Sequence, residues 1–189
     1  MIIRALVILL CLQSVLLFAQ PGPGRHSVPP KSKDCTPAEE KWWNDIRKKG
    51  DEILDLRDKV TEARRRGGNS GKVSSQLEGR RKELIALIKT GQDNNYNVPV
   101  DDTRITLLYT PRPDYTEEAR QQRESGTVLF EAQFLPDGTT ANARVLRGLK
   151  YGLNDKALEV ANHIVFIPSV ANGHFRAGKE KMVATFTLL

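Results

Sequence analysis

A small antiparallel three-stranded sheet with two helices, preceded by an α-helical hairpin, is the α+β fold that this 189-residue sequence predicts. Three observations carry the prediction. Val128, Phe130, Ala132 and Phe134 alternate with polar residues at the period of a half-buried strand, and the alternation returns at Ala141–Val145 and Met182–Leu188. An Asp137-Gly138 pair separates the first two of these runs and tolerates the positive φ of a tight turn. Between Thr36 and Lys89 the apolar period lengthens to three and four, interrupted once by Gly67-Gly68-Asn69-Ser70-Gly71.

The N-terminus reads as a targeting segment. Arg4 precedes a largely apolar run from Ala5 to Ala19, followed by Gln20 and a Pro/Gly stretch. A basic residue, an apolar run of this length and a small residue at its exit describe a secretory signal over residues 1–19. The run is short for a membrane span, which needs roughly 20 residues. Its retention as an inner-membrane anchor through residues 2–19 is the alternative. Cys11 lies inside the run without the small residue that normally precedes a lipidated cysteine. Residues 20–35, rich in Pro, Gly, Ser and basic side chains, read as a disordered linker.

A helical hairpin is expected over residues 36–91. Thr36-Pro37-Ala38-Glu39 combines an N-cap, a proline at the first helical position and the glutamate of a capping box. Trp42, Ile46, Ile53, Leu56, Val60 and Ala63 then form a narrow seam, with Lys49 where another apolar residue would fit. The glycine-rich stretch ends this helix. A second, from about Ser74 to Lys89, carries Leu77, Leu84, Leu87 and Ile88 on one side. An antiparallel pairing brings Trp42 and Trp43 near Leu87 and Ile88, burying one indole. Pairs such as Asp45 with Lys49, Asp55 with Lys59 and Glu78 with Lys82 support the exposed faces. Residues 92–103 (QDNNYNVPVDDT) read as a polar linker, and Arg104–Tyr109 as a short extra strand.

The C-terminal domain is expected over residues 104–189. Thr116 caps a short helix with Glu117 and Glu118 in its first turn, where carboxylates favour the helix dipole, and Gly126 is the expected stop. After the strand pair, Asn154 is the expected N-cap of a helix, with Leu153 stapling onto Leu158. Leu153, Ala157, Ala161 and Ile164 make its stripe, and the helix is expected to run to Phe166, stopped by Pro168. An Asn172-Gly173 turn leads to the last strand, roughly Lys181–Leu188, with both faces fairly apolar.

The ordered landmarks from Pro111 onward are P-x-Y-x-x-x-A-R, G-T-V-L-F, D-G, G-L-N-D-K-A-L, F-x-P, N-G and a terminal apolar strand. Together, over residues 111–189, they resemble the C-terminal domain of the TonB family. The resemblance implies a domain that grips a short extended segment of an outer-membrane transporter by adding it to a sheet edge. It places that edge on the last strand, so Met182, Val183, Ala184, Thr185 and Phe186 are the candidate partner-binding residues. Ala184 and Phe186 read first as core, whereas Val183 and Thr185, on the opposite face, are the better contacts. The linker over 20–35 is much shorter than the proline-rich spacer of a TonB energy transducer, and the apolar run holds no histidine.

No nucleophile elbow, H-E-x-x-H, phosphate-cradling glycine loop or Cys/His metal set occurs, so the reading is a non-enzyme without cofactor or metal. His26, His163 and His174 have no ligand spacing, and with the signal removed Cys35 is the sole thiol. Arg64-Arg65-Arg66 and Arg80-Arg81-Lys82 concentrate positive charge on the hairpin. A solvated face is the first reading of this charge and an anionic envelope surface the second. Export and the lack of interleaved aromatics argue against nucleic acid. The expected function is an exported TonB-like protein binding an envelope protein or peptide by strand addition. One alternative is a membrane-anchored energy transducer to outer-membrane transporters. The other is a structural protein that self-associates through helices 36–91.

Overall fold

The computed structural model describes residues 35–188; the signal and most of the linker inferred above lie outside them. Helix α1 (Pro37–Arg65) starts as its sequence demands. The Thr36 hydroxyl accepts from the Glu39 amide, and the Glu39 carboxylate accepts from the Thr36 amide at 2.7 Å. Helix α2 (Gly71–Asp93) returns antiparallel and is longer at both ends than its apolar stripe implies. Trp42, Ile46, Ile53 and Val60 of α1 bury against Leu77, Leu84 and Ile88 of α2.

At the gap in the α1 seam the core residue is Gly50, not Lys49. Leu108 and Ile167 approach Gly50 to ordinary van der Waals range of where its Cβ would stand. Lys49 turns aside to Glu52 and Glu83, at 2.8 and 2.7 Å. The hydrogen bonds it donates to these two carboxylates, Glu52 foremost, raise its pKa above the usual lysine range. None of the three charge pairs read from the sequence forms among the described residues: Glu78 pairs with Arg81, and Arg57 with its neighbour Asp58.

Beyond the hairpin, β1 (Thr106–Tyr109) leads to α3 (Glu117–Gln121), β2 (Gly126–Phe134), β3 (Thr140–Arg147) and α4 (Leu153–Ala161). Three short strands follow, β4 (Val165–Ile167), β5 (Ser169–Ala171) and β6 (His174–Arg176), and then β7 (Gly178–Phe186). The three-stranded sheet has the order β3-β2-β7 and is antiparallel throughout. Val128, Phe130, Ala132 and Phe134 point to its covered face, where α3 and α4 complete the core with Ala119, Leu153, Ala157 and Ala161. Asp137 and Gly138 make the β2–β3 turn, Gly138 at φ 84°.

Three local expectations are corrected. Helix α3 ends at Gln121, with Arg123 in the left-handed region, so Gly126 opens β2 rather than stopping the helix. Helix α4 begins from Gly152 at φ 75°, and Asn154 instead accepts the Leu149 amide at 2.9 Å. That helix stops at Ala161, not near Phe166, because Val165–Ile167 is a strand antiparallel to β1.

The physical reason for β4 lies in what its two faces touch. Val165 and Ile167 enter the core made by the hairpin, while Phe166 enters the core under the three-stranded sheet and meets Phe134 edge-on at 4.8 Å. A strand buried on both faces is apolar at every position and gives no alternation to read. It is also the shared wall between the two cores. The stretch 92–103 is similarly built in: Val98, Pro99 and Val100 are buried, and Val98 donates its amide to Gly173. The Asn172-Gly173 turn joins β5 and β6 with both residues at positive φ. The hairpin thus packs on the C-terminal strands through β1, β4 and the β5–β6 ribbon.

Candidate functional site

The free edges of the three-stranded sheet are β3 and β7, and they differ in kind. Strand β3 meets β2 with two register irregularities and carries Asn142 at φ 49°. Bulges and twists of this sort blunt an edge against further pairing. Strand β7 runs nine residues in unbroken register against β2, from Gly126 opposite Phe186 to Phe134 opposite Gly178. A regular edge of this length presents a row of backbone groups that an extended chain can complete.

The five residues singled out from the sequence divide between the faces of β7. Ala184 and Phe186 are buried, Phe186 edge-on against Tyr115 at 5.5 Å, and their side chains serve the core. Met182 is half-buried at the rim of that core. Val183, 54% exposed, and Thr185 face away from the helices. The strand starts at Gly178 and ends at Phe186, so its exposed face gains Lys179 beside Lys181, neither of which the sequence reading singled out. Leu129 of β2 stands opposite Val183 on the same face, and Leu146 of β3 is also exposed. Period-two counting back from Thr185 would have found the two lysines.

The remaining clefts offer less chemistry. An open cleft of about 530 Å³ is lined by Cys35, Asn97, Val98, Val100, Asp101, Asp102, Asn172 and Gly173. The Cys35 thiol is half-buried on its wall. No group of three His, Cys, Asp or Glu side chains able to hold a metal occurs among the described residues. Glu39 is buried beside this region and accepts from the Asn97 amide and side chain and from the Thr36 amide and hydroxyl. Those donors, the Asn97 amide foremost, hold its pKa below the usual carboxylate value. This cluster ties α1 to the segment after α2 rather than forming a reactive site.

The seam of the hairpin is consumed within the chain. Trp42 is buried against Tyr96 and Phe175, and its Nε1 donates to the Leu87 carbonyl at 2.7 Å. Among the described residues no helix is long and apolar enough to cross a membrane.

The fold is a three-stranded sheet with helices on one face and one regular edge open. Comparison with known proteins makes this particular. The family model of the Gram-negative bacterial TonB protein C-terminal matches residues 111–188, so this segment is similar to that domain. The solution NMR structure of the Pseudomonas aeruginosa TonB C-terminal domain is similar, at 24% identity and a TM-score of 0.38, over 46% of this chain and 89% of that one. No curated protein matches the chain.

Proposed function

We propose that this is an exported envelope protein whose C-terminal domain receives an extended segment of a protein partner on the outer edge of β7. The observation that carries the reading is the contrast between the two edges, one regular for nine residues and the other irregular at two places. Main-chain hydrogen bonds supply affinity in such an addition, and alternate side chains supply selectivity. Val183 and Thr185, flanked by Lys181, are the side chains that an added strand meets on the open face. Ala184 and Phe186 act indirectly, by holding β7 flat on the core.

The partner is an envelope protein or peptide, an outer-membrane transporter being the member of that class the family favours. The energy-transducer alternative, with the helices standing in for a long spacer, has less support. The hairpin folds back on itself and packs on the C-terminal strands, which returns the chain at Asp93 to the end where α1 began. Self-association through the seam has less support for a related reason, since the seam residues are already buried.

Photo-crosslinking residues placed at Val183 and Thr185, and separately at Arg144 on β3, test the edge in intact envelopes. Crosslinks to an envelope protein from the β7 positions and not from Arg144 are expected. Equal crosslinking from both edges, or none from β7, overturns the reading. Intact mass and fractionation of the native protein decide the anchoring: a mature chain beginning near Gln20 in the soluble periplasmic fraction is expected.

A further inference from the structure

The charge of the hairpin is separated along its length. Between Arg57 and Lys82, around the turn, nine lysines and arginines face three carboxylates; the rest of residues 36–93 holds five against eight. The C-terminal segment from Asn94 onward is balanced, eleven against eleven. The positive excess of the folded chain therefore sits at one end of one element.

That end stands apart from the rest of the molecule. The joint with the C-terminal strands is made around Gly50 in α1 and by Ile85 and Ile88 of α2 against the Gly138 turn. Its last polar ties are Arg81 to the Asn162 carbonyl at 2.7 Å and Glu78 to His163 at 3.7 Å. From Arg57 to Leu77, the hydrogen bonds and ion pairs stay within the hairpin among the described residues. Only Val60 and Leu77 are fully buried there, so the segment is a two-helix tip with a thin apolar seam. Arg64, Arg65, Arg66 and Lys72 are exposed at its end, and Glu62 is the carboxylate that meets Arg65 and Arg66.

We propose that this tip is a docking surface for the headgroups of an anionic phospholipid bilayer. A convex helical end with basic side chains on both helices matches a flat, laterally mobile field of negative charge, which needs no groove. No aromatic residue occurs between Arg57 and Lys82, so the stacking platform that favours single-stranded nucleic acid is missing there. Among the described residues the exposed large apolar side chains, Leu107, Leu146 and Val183, all lie elsewhere. Adsorption is therefore electrostatic, at headgroup level and without insertion. Each basic residue held at an anionic membrane surface contributes roughly fivefold to partitioning. Most of the tip's charge must act together for useful affinity, and the six lysines and arginines between Arg57 and Leu77, against two carboxylates, provide that.

The test is vesicle co-sedimentation of the full chain, with phosphatidylcholine vesicles and with phosphatidylcholine–phosphatidylglycerol vesicles. The triple variant Arg64→Gln, Arg65→Gln, Arg66→Gln is compared with Arg112→Gln, Lys150→Gln, Arg176→Gln, which removes the same charge from the C-terminal domain. The tip variant is expected to lose at least tenfold of the preference for anionic over neutral vesicles. The control variant should keep that preference. Salt sufficient to shorten the Debye length to about 3 Å should abolish it in the native chain. Unchanged preference in the tip variant, equal loss in both variants, or no preference in the native chain overturns the proposal. Tighter binding of duplex DNA than of anionic vesicles also overturns it, in favour of a nucleic-acid surface. All substituted side chains are exposed, and unchanged melting of each variant confirms that the fold is intact.

Discussion

Gly91 is the residue whose smallest enlargement should disturb this protein most. It is buried in the last turn of α2, directly under the indole of Trp42. A Cβ on Gly91 would overlap Trp42 Cζ2 and Cε2 and lie 2.8 Å from Cη2. Trp42 has little room to retreat, with Tyr96 and Phe175 edge-on to it at 5.6 and 5.9 Å and Trp43 at 6.4 Å. Moving it also breaks the bond from Nε1 to the Leu87 carbonyl. Overpacking costs about 1–3 kcal/mol and a lost buried hydrogen bond about 1–3 kcal/mol, against a helix-propensity gain of about 1 kcal/mol for alanine over glycine. Gly91→Ala should therefore destabilise by about 1–5 kcal/mol. Trp42 and Trp43 are the only tryptophans in the chain, so denaturant unfolding followed by their fluorescence reports this joint directly. Gly50→Ala is the matched comparison. Its Cβ would lie 3.6–3.8 Å from Ile167 and Leu108, an ordinary contact, so propensity dominates and a gain of about 0.5–1 kcal/mol is expected. Gly91→Ala with native midpoint and native emission would refute the reasoning.

Three further outcomes follow from the same contacts. The Glu39 pKa is depressed on folding, so its stabilisation is present above the ordinary glutamate value of about 4.3 and lost as pH falls through its own lower value. Glu39→Gln should be less stable than the native chain at neutral pH, and the difference should shrink below about pH 4.3 in acid titrations of the unfolding midpoint. Arg81→Ala removes the tie between α2 and the end of α4, with an expected loss of about 1–3 kcal/mol and faster hydrogen exchange near Asn162. Phe166→Ala empties the position where β4 meets Phe134 and should cost about 3–5 kcal/mol; both the hairpin and the sheet should report it in one unfolding transition, since β4 walls both cores.

What the sequence determined by itself was carried by the strongest local signals. The capping box at Thr36–Glu39, the seam from Trp42 to Val60, the alternation of Val128–Phe134 and the Asp137-Gly138 turn each carry their structure within a few residues. Alternation also placed Ala184 and Phe186 inward and Val183 outward, because side chains on a strand must switch faces at every step. Only the tertiary structure decided the rest. The run Ile164–Ile167 is apolar at every position, and helix and strand are indistinguishable there until β1, some sixty residues earlier, is brought alongside. Gly50 and Gly91 add no side chain to the apolar pattern of their helices, yet they are where other chain segments come closest. Which edge of the sheet is open depended equally on distant pairing: β7 lies outside β2, and β3 is irregular, for reasons of register. Local periodicity says which face a side chain takes, but contacts between residues far apart in sequence leave no period to read.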